Sequence, residues 1–355
     1  MTIESDRQTQ RFGFLLLPNF ALMSYASATE PLRAANLLAG RSLYAIGQLS
    51  QGGRPVRSSG GIEIACDDLS FAGTEFHTVF VCAGGDPGNW VEADRLFSAL
   101  RRLSRLGVRL GAISSGAYVL AAAGLLDNRD FTIHWEHAPV LREAYPDLTP
   151  RQARYVIDGD RITCGGGVAP LDMMHALIAE RMGAHFARRV SDWYLHTAIA
   201  DPSDPQRGSA AERFGTHNPI LLAALEKMEA TIENPLDREA MAHFLSISSR
   251  HLDRLFSQHL NAGFLQSYRR IRLDHARRLI EQSPLAIAEI AFATGFSSTG
   301  HFSQAFRSQY GSPPSSLRTG LSETVLSTCK PFARTGENCK TRLPQRNAHT
   351  RWRSS

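Results

Sequence analysis

Along the chain, two hydrophobic spacings alternate and then give way to one. Phe12–Leu17 is an unbroken apolar run, the mark of a strand covered on both faces. Residues 22–39 follow with helical spacing, and Tyr44–Leu49, Gly61–Cys66 and His77–Cys82 read as further strands. Residues 91–106 are an amphipathic helix. The apolar strand Val108–Ile113 breaks at Ser114-Ser115-Gly116 into a helix over Ala117–Ala123. A short strand, Phe131–Ile133, precedes His134-Trp135-Glu136. Arg154–Ile157 and Arg161–Cys164 flank Asp158-Gly159, a hairpin signal. One long helix over 170–198 ends this part. The alternation predicts an α/β domain, a mostly parallel sheet flanked by helices, with ligand sites outside the carboxyl ends of the strands.

From Ile199 to Phe214 the periodicity stops and Pro, Asp, Ser and Gly crowd together, which predicts a linker. Beyond it only helical spacing remains, so the pattern predicts an all-α domain. Pro219–Ile232 opens it. Residues 284–314 then read as two short helices about a tight turn. Ile287, Ile290 and Ala291 form one stripe, Gly295 takes the turn position, and Ser297 or Ser298 caps the second helix. Phe302, Ala305 and Phe306 face inward, and Gly311 with Pro313 stops the helix. Residues 237–260 repeat the plan, with Leu245-Ser246-Ile247 as the turn and Ser248 or Ser249 as the cap. A single unit could be an ordinary helical hairpin. Its duplication about one long arginine-rich helix, SYRRIRLDHARRLIEQS, favours two helix-turn-helix units held at the spacing of successive major grooves.

Charge changes this picture little. The net charge is +5, but residues 1–219 carry −2, residues 220–320 carry +2 and residues 321–355 carry +5. The basic excess is in the tail and does not by itself argue for DNA binding. No apolar run reaches the roughly 20 residues of a membrane span. The N-terminus MTIESDRQTQR is polar and unlike a signal peptide. The five cysteines, Cys66, Cys82, Cys164, Cys329 and Cys339, show neither CxxC nor zinc spacing, which suits a reduced, cytoplasmic protein without a metal.

Three strand ends carry polar chemistry. Gly84-Gly85-Asp86 offers bare backbone N–H groups to an anion. Ser114-Ser115 lies at a sharp strand-to-helix turn, and His134-Trp135-Glu136 follows a strand. Glu30 on the first helix could lean over the same crevice. Ala112-Ile113-Ser114-Ser115-Gly116 is one residue short of a nucleophile elbow, so Ser114 with His134 could form a nucleophile and base. Serines also cap helices without any chemistry. Carboxylates with Trp90, Tyr118 and Trp135 suit a cationic group, and Gly84, Gly85 and the helix start at Gly116 suit a carboxylate, so together they suit a zwitterion.

The run GAISSGAYVLAAAGLLDNRDFTIHWEHAPVLREAYPDL, residues 111–148, resembles the class I glutamine amidotransferase-like superfamily, and most of all its branch fused to an AraC-type DNA-binding domain, the GlxA-type regulators. EIAFATGFSS, HFSQAF and Gly311-Ser312-Pro313-Pro314 resemble the AraC/XylS signature. The resemblance implies a ligand-sensing, dimerising amidotransferase-like domain over 11–198, a linker over 199–217, an AraC-type domain over 218–320 and a disordered basic tail over 321–355. The superfamily's cysteine nucleophile falls on Ser114 and its histidine on His134. A hydroxyl in place of a thiol implies a degenerate catalytic site kept as a pocket, and no cofactor. The implied effector is an amino acid or quaternary amine of the arginine, glycine betaine or carnitine type. It would be bound by Glu30, Gly84, Gly85, Ser114, Ser115, His134, Trp135 and Glu136.

The implied partners are promoter DNA, RNA polymerase and a second copy of the chain, in a transcriptional activator. Arg250, Asp253 and Arg254 in the first unit, and Thr299, Ser303 and Gln304 in the second, occupy the outer helical faces where bases are read. Arg307 and Arg272 suit phosphates. Gly300 stands where the family usually has a side chain. A serine hydrolase or amidase using Ser114 and His134, and a constitutive architectural DNA binder, are the competing readings.

Overall fold

The computed structural model describes residues 8–84, 93–282 and 285–317. Gly85, Asp86, Trp90 and the basic tail over 321–355 lie outside the described residues.

Strands β1 (Gln10–Leu16), β2 (Tyr44–Ser50), β5 (Asp67–Asp68), β6 (Thr78–Ala83), β7 (Arg109–Ser114), β8 (Tyr155–Asp158) and β9 (Arg161–Cys164) form one sheet in the order β5-β2-β1-β6-β7-β9-β8. All neighbours are parallel except the β8–β9 hairpin, which turns at Asp158-Gly159 as its dipeptide predicts. Strand order reverses direction at β1, with β2 on one side and β6 on the other. The unbroken apolar run of β1 is explained by its two faces. Phe12, Phe14 and Leu16 enter the core under α1 (Leu22–Ala39), α5 (Ala169–Met182) and α6 (Ala184–Trp193). Leu15, and Leu17 just past the end of the strand, enter the opposite core under α2 (Ala93–Arg105) and α3 (Gly116–Ala122).

Four expectations are corrected. Gly61–Cys66 contributes only β4 (Glu63–Ile64), paired antiparallel with β3 (Val56–Arg57) in a separate ribbon. Phe131–Ile133 is not a strand, because side chains take the place of a ladder. Thr132 N–H donates to Thr163 Oγ1 (2.8 Å), and Thr132 Oγ1 donates toward Arg151 O and Ala153 O, each at 2.8 Å. The long helix over 170–198 is broken between α5 and α6 at Gly183, whose φ is 83°. The linker contains a helix, α7 (Ala210–Phe214), begun by a Ser209/Glu212 capping box.

Helix α4 (Ala138–Ala144) follows the His134 loop. The all-helical region comprises α8 (Pro219–Ala230), α9 (Arg238–Phe244), α10 (Ser249–Leu260), α11 (Phe264–Gln282), α12 (Ile287–Ala293) and α13 (Thr299–Tyr310). Helix α11 serves two cores. Phe264, Tyr268 and Ile271 pack with α8, α9 and α10, whereas Leu273, Ala276, Leu279 and Ile280 pack with α12 and α13. Val140 of α4 joins the second of these cores, so the sheet domain and the helical domain share a seam.

Candidate functional site

Strand β7 ends at Ser114 with φ 61°, a left-handed conformation that a non-glycine residue rarely adopts. The bend turns the chain directly into α3. Across it lies Gly166, where an added Cβ would come within 2.9 Å of Ser114 Cβ, so only glycine allows this approach. Ser114 is nearly buried. Ser115 is fully buried, and among the described residues its hydroxyl has no hydrogen-bond partner.

Beside this bend is a cavity of about 220 Å³, lined by His134, Trp135, Arg154, the Gly165–Ala169 segment and Gln206. The segment leads into the N-terminus of α5, whose cap residue Val168 makes no side-chain cap hydrogen bond. Arg154 donates through Nε (3.0 Å) and Nη2 (2.7 Å) to one oxygen of the buried Asp172, whose other oxygen takes His196 Nε2 (2.7 Å) and the Ala200 N–H (3.1 Å). The Arg154–Asp172 pair, the start of α5 and Trp135 therefore border one cavity.

His134 is half-buried, and burial pushes its pKa below the usual histidine value. Its Nδ1 accepts from the Glu136 N–H at 3.3 Å, so the neutral ring carries its proton on Nε2. The His134 N–H, not its ring, meets Ser114, at the carbonyl oxygen (3.4 Å). Among the described residues no hydrogen bond joins the Ser114 and His134 side chains, and this tautomer presents no basic nitrogen on Nε2. The buried Cys164 thiol, pushed up to about 12 by burial, supplies no thiolate in its place.

Of the residues expected to hold a ligand, His134 and Trp135 line the cavity and Ser114 backs its wall through Gly166. Ser115 is sealed in the core. Gly84 is packed against the Asn19–Ala21 backbone, and Glu136 does not line the cavity but donates its backbone N–H to His134 Nδ1. Glu30 is displaced from the crevice. It pairs with Arg33 (2.7 Å), and its carbonyl accepts from the Oη of Tyr194, just past the end of α6. Helix α1 turns that carboxylate toward α6. Arg154, Gly165–Ala169 and Gln206 were missed. Three successive glycines between a strand and a helix were a readable signal for the loop. Nothing local marked Arg154 or Gln206.

In the helical region, Ser248 caps α10 by accepting from the His251 N–H (3.2 Å), and Ser298 caps α13 by accepting from the His301 N–H (3.3 Å). Gly295 holds φ 73°, and a Cβ there would lie 2.6 Å from Ile232 O. Ser246 takes the corresponding turn with φ 55°. Arg250 and Arg254 on α10 and Thr299, Gln304 and Arg307 on α13 are exposed, while Ser303 is half-buried. Asp253 is held by Arg238 of α9 at 3.3 Å. Arg272 does not project to solvent as a phosphate contact would require. Its Nε donates to Thr294 O (2.7 Å), and its guanidinium lies 4.3 Å over the Phe296 ring, so it fastens the second turn to α11.

Residues 13–180 match the sequence profile of the DJ-1/PfpI family, and residues 241–320 match that of a helix-turn-helix domain. The chain is 67% identical over 319 residues to the HTH-type transcriptional regulator GlxA of Rhizobium meliloti, spanning 90% of this chain and 98% of that one. It is 38% identical over 315 residues to the HTH-type transcriptional regulator GbdR of Pseudomonas aeruginosa, spanning 89% of this chain and 86% of that one. The crystal structure of an AraC family transcriptional regulator from Pseudomonas putida is 27% identical, covering 52% of this chain and 99% of its own, with a TM-score of 0.48.

Proposed function

Because this chain belongs to the GlxA-type transcriptional regulators, which join a DJ-1/PfpI domain to an AraC-type helix-turn-helix domain, we propose that its DNA binding is governed by a small nitrogen-containing effector, an amino acid or quaternary amine, held in the Trp135 cavity. The observation that carries this reading is the composition of the cavity wall. Trp135 offers its ring to a cationic head, and Arg154, whose Nε and Nη2 are held by Asp172, borders the same space beside the positive end of α5. The two lie in one space of a size for a metabolite of that class.

The organisation is a sensor domain over 11–198, a linker over 199–217 and a DNA-binding domain over 218–320, acting as a dimer on two half-sites and activating transcription through RNA polymerase. Arg250 and Arg254 face the DNA from the first unit, and Thr299, Ser303, Gln304 and Arg307 from the second. Asp253 orients Arg238 beside them. Effector binding shifts the population of domain arrangements that fit the promoter.

Titration calorimetry of the full chain with L-arginine, glycine betaine and L-carnitine tests the reading. At least one is expected to bind, and to lose binding in Trp135→Ala. Binding by none of them, or equal binding by Trp135→Ala, would overturn the assignment of effector class to this cavity.

A further inference from the structure

The cavity is not lined by the sensor domain alone. Gln206, from the linker, inserts its carboxamide into it and uses the group fully. Oε1 accepts from the Trp135 N–H (2.8 Å), and Nε2 donates toward Thr132 Oγ1 (2.9 Å), Ile133 O (2.9 Å) and Ala153 O (2.6 Å). The amide lies flat on the bare Cα of Gly165, where an added Cβ would come within 2.6 Å of it. The next residue, Arg207, places its guanidinium 4.4 Å over the Trp135 ring and reaches Glu229 of α8 at 3.7 Å. Glu229 also receives Arg213 of α7 at 2.8 Å. Two consecutive residues thus join the cavity to the DNA-binding domain.

We propose that Gln206-Arg207 is a clasp at the effector site, and that an effector signals by displacing Arg207 from the Trp135 ring. This rests on the effector reading above. The niche around Gln206 presents one N–H donor and three oxygen acceptors, so it selects an uncharged amide and rejects a carboxylate. Arg207 stacks on the Trp135 ring, so a cationic effector head at that ring competes with it for the same π system and repels its charge. Arrival of that head removes Arg207 from the ring, loosens its hold on Glu229 and releases the linker from the sensor domain. Arg213 keeps α7 with α8, so the linker parts at the sensor side. The released state has a different allowed range of domain arrangements, which the promoter reads.

Limited trypsin digestion of the full chain, scored at the bond after Arg207, tests the clasp. Cleavage after Arg181, inside α5, serves as the control for global unfolding. Gln206→Glu keeps the shape but turns a carboxylate oxygen toward the three acceptors. Gly165→Ala fills the space beneath the amide. Each variant is expected to raise cleavage after Arg207 about fivefold or more while cleavage after Arg181 stays at the wild-type rate. A wild-type rate at Arg207 in either variant, or a rise matched at Arg181, overturns the proposal. In the wild type, whichever of L-arginine, glycine betaine or L-carnitine binds by calorimetry is expected to raise the Arg207 rate likewise; binding without that rise overturns the displacement. If none binds, the effector class falls, and the two variants still decide whether the clasp exists.

Discussion

The Arg207 guanidinium lies 4.4 Å over the Trp135 ring while its Nη1 meets Glu229 of the DNA-binding domain at 3.7 Å. A residue of the linker therefore touches the cavity wall and the first helix of the DNA-binding domain at once. Neighbouring Gln206 has its carboxamide within hydrogen-bond distance of four partners in the same cavity. A second junction lies nearby. The loop bearing His134 runs straight into α4, whose Val140 packs into the core of the second helix-turn-helix unit. Movement at the cavity has two physical routes to the DNA-reading helices.

Arg272 separates a structural arginine from a reading one. Arg272→Ala loses a hydrogen bond to Thr294 O and a stacked contact on Phe296. It is expected to lower stability by about 1–2 kcal/mol. DNA affinity should fall alike on specific and random sequences, because the whole unit loosens. Gln304→Ala removes an exposed side chain instead, and is expected to leave the melting temperature within error while costing about 1–3 kcal/mol only on the preferred site. Melting curves and competition binding against random DNA distinguish the two.

The two glycines of the second unit should respond in opposite directions. Gly295→Ala forces a left-handed φ on an L-residue and drives Cβ toward Ile232 O. It is expected to cost more than about 1 kcal/mol. At Gly300 an added Cβ meets nothing within 4 Å. Gly300→Ala is expected to stabilise α13 by up to about 1 kcal/mol. Chemical denaturation of the two variants checks both signs.

How much could be read beforehand follows from how local each signal was. Gly295 and the cap, left between Ser297 and Ser298 and found at Ser298, lie within a few residues of the turn they make, so the second unit was legible to within one residue of its cap. The β8–β9 hairpin was legible from Asp158-Gly159 for the same reason. Phe131–Ile133 has strand composition, yet Thr132 spends its hydrogen bonds on Thr163, Arg151 and Ala153, none of them near it in sequence. Gln206 meets Trp135 across 71 residues, and no local pattern announces such a pairing. Glu30 shows the converse, since a chemically plausible residue was carried elsewhere by the phase of its helix.

Acid should open the seam between the domains. His137, just before α4, and His275 on α11 each have a pKa pushed down to about 4 by burial. Arg278 of the same helix and Arg142 of α4 lower His275 further, and His134 lowers His137. Both rings are neutral in the fold. The unfolded chain protonates near 6.5, so between about 6.5 and 4 it binds more protons than the native state. Stability is therefore full above that window and is lost as pH falls through it. Melting temperature measured from pH 7.5 to 4.5 should decline, with a shallower decline in His275→Gln. An equal slope in that variant would remove His275 from the account.

The central claim is that a metabolite in the Trp135 cavity controls DNA binding. The most direct measurement is the affinity of the full chain for its selected two-half-site DNA, at fixed salt, with and without saturating L-arginine, glycine betaine or L-carnitine. The account predicts that one of them changes affinity by about tenfold, a coupling of about 1.4 kcal/mol, and that Trp135→Ala abolishes the change. Tight DNA binding that none of these compounds alters would contradict it, and would leave the chain a constitutive DNA binder.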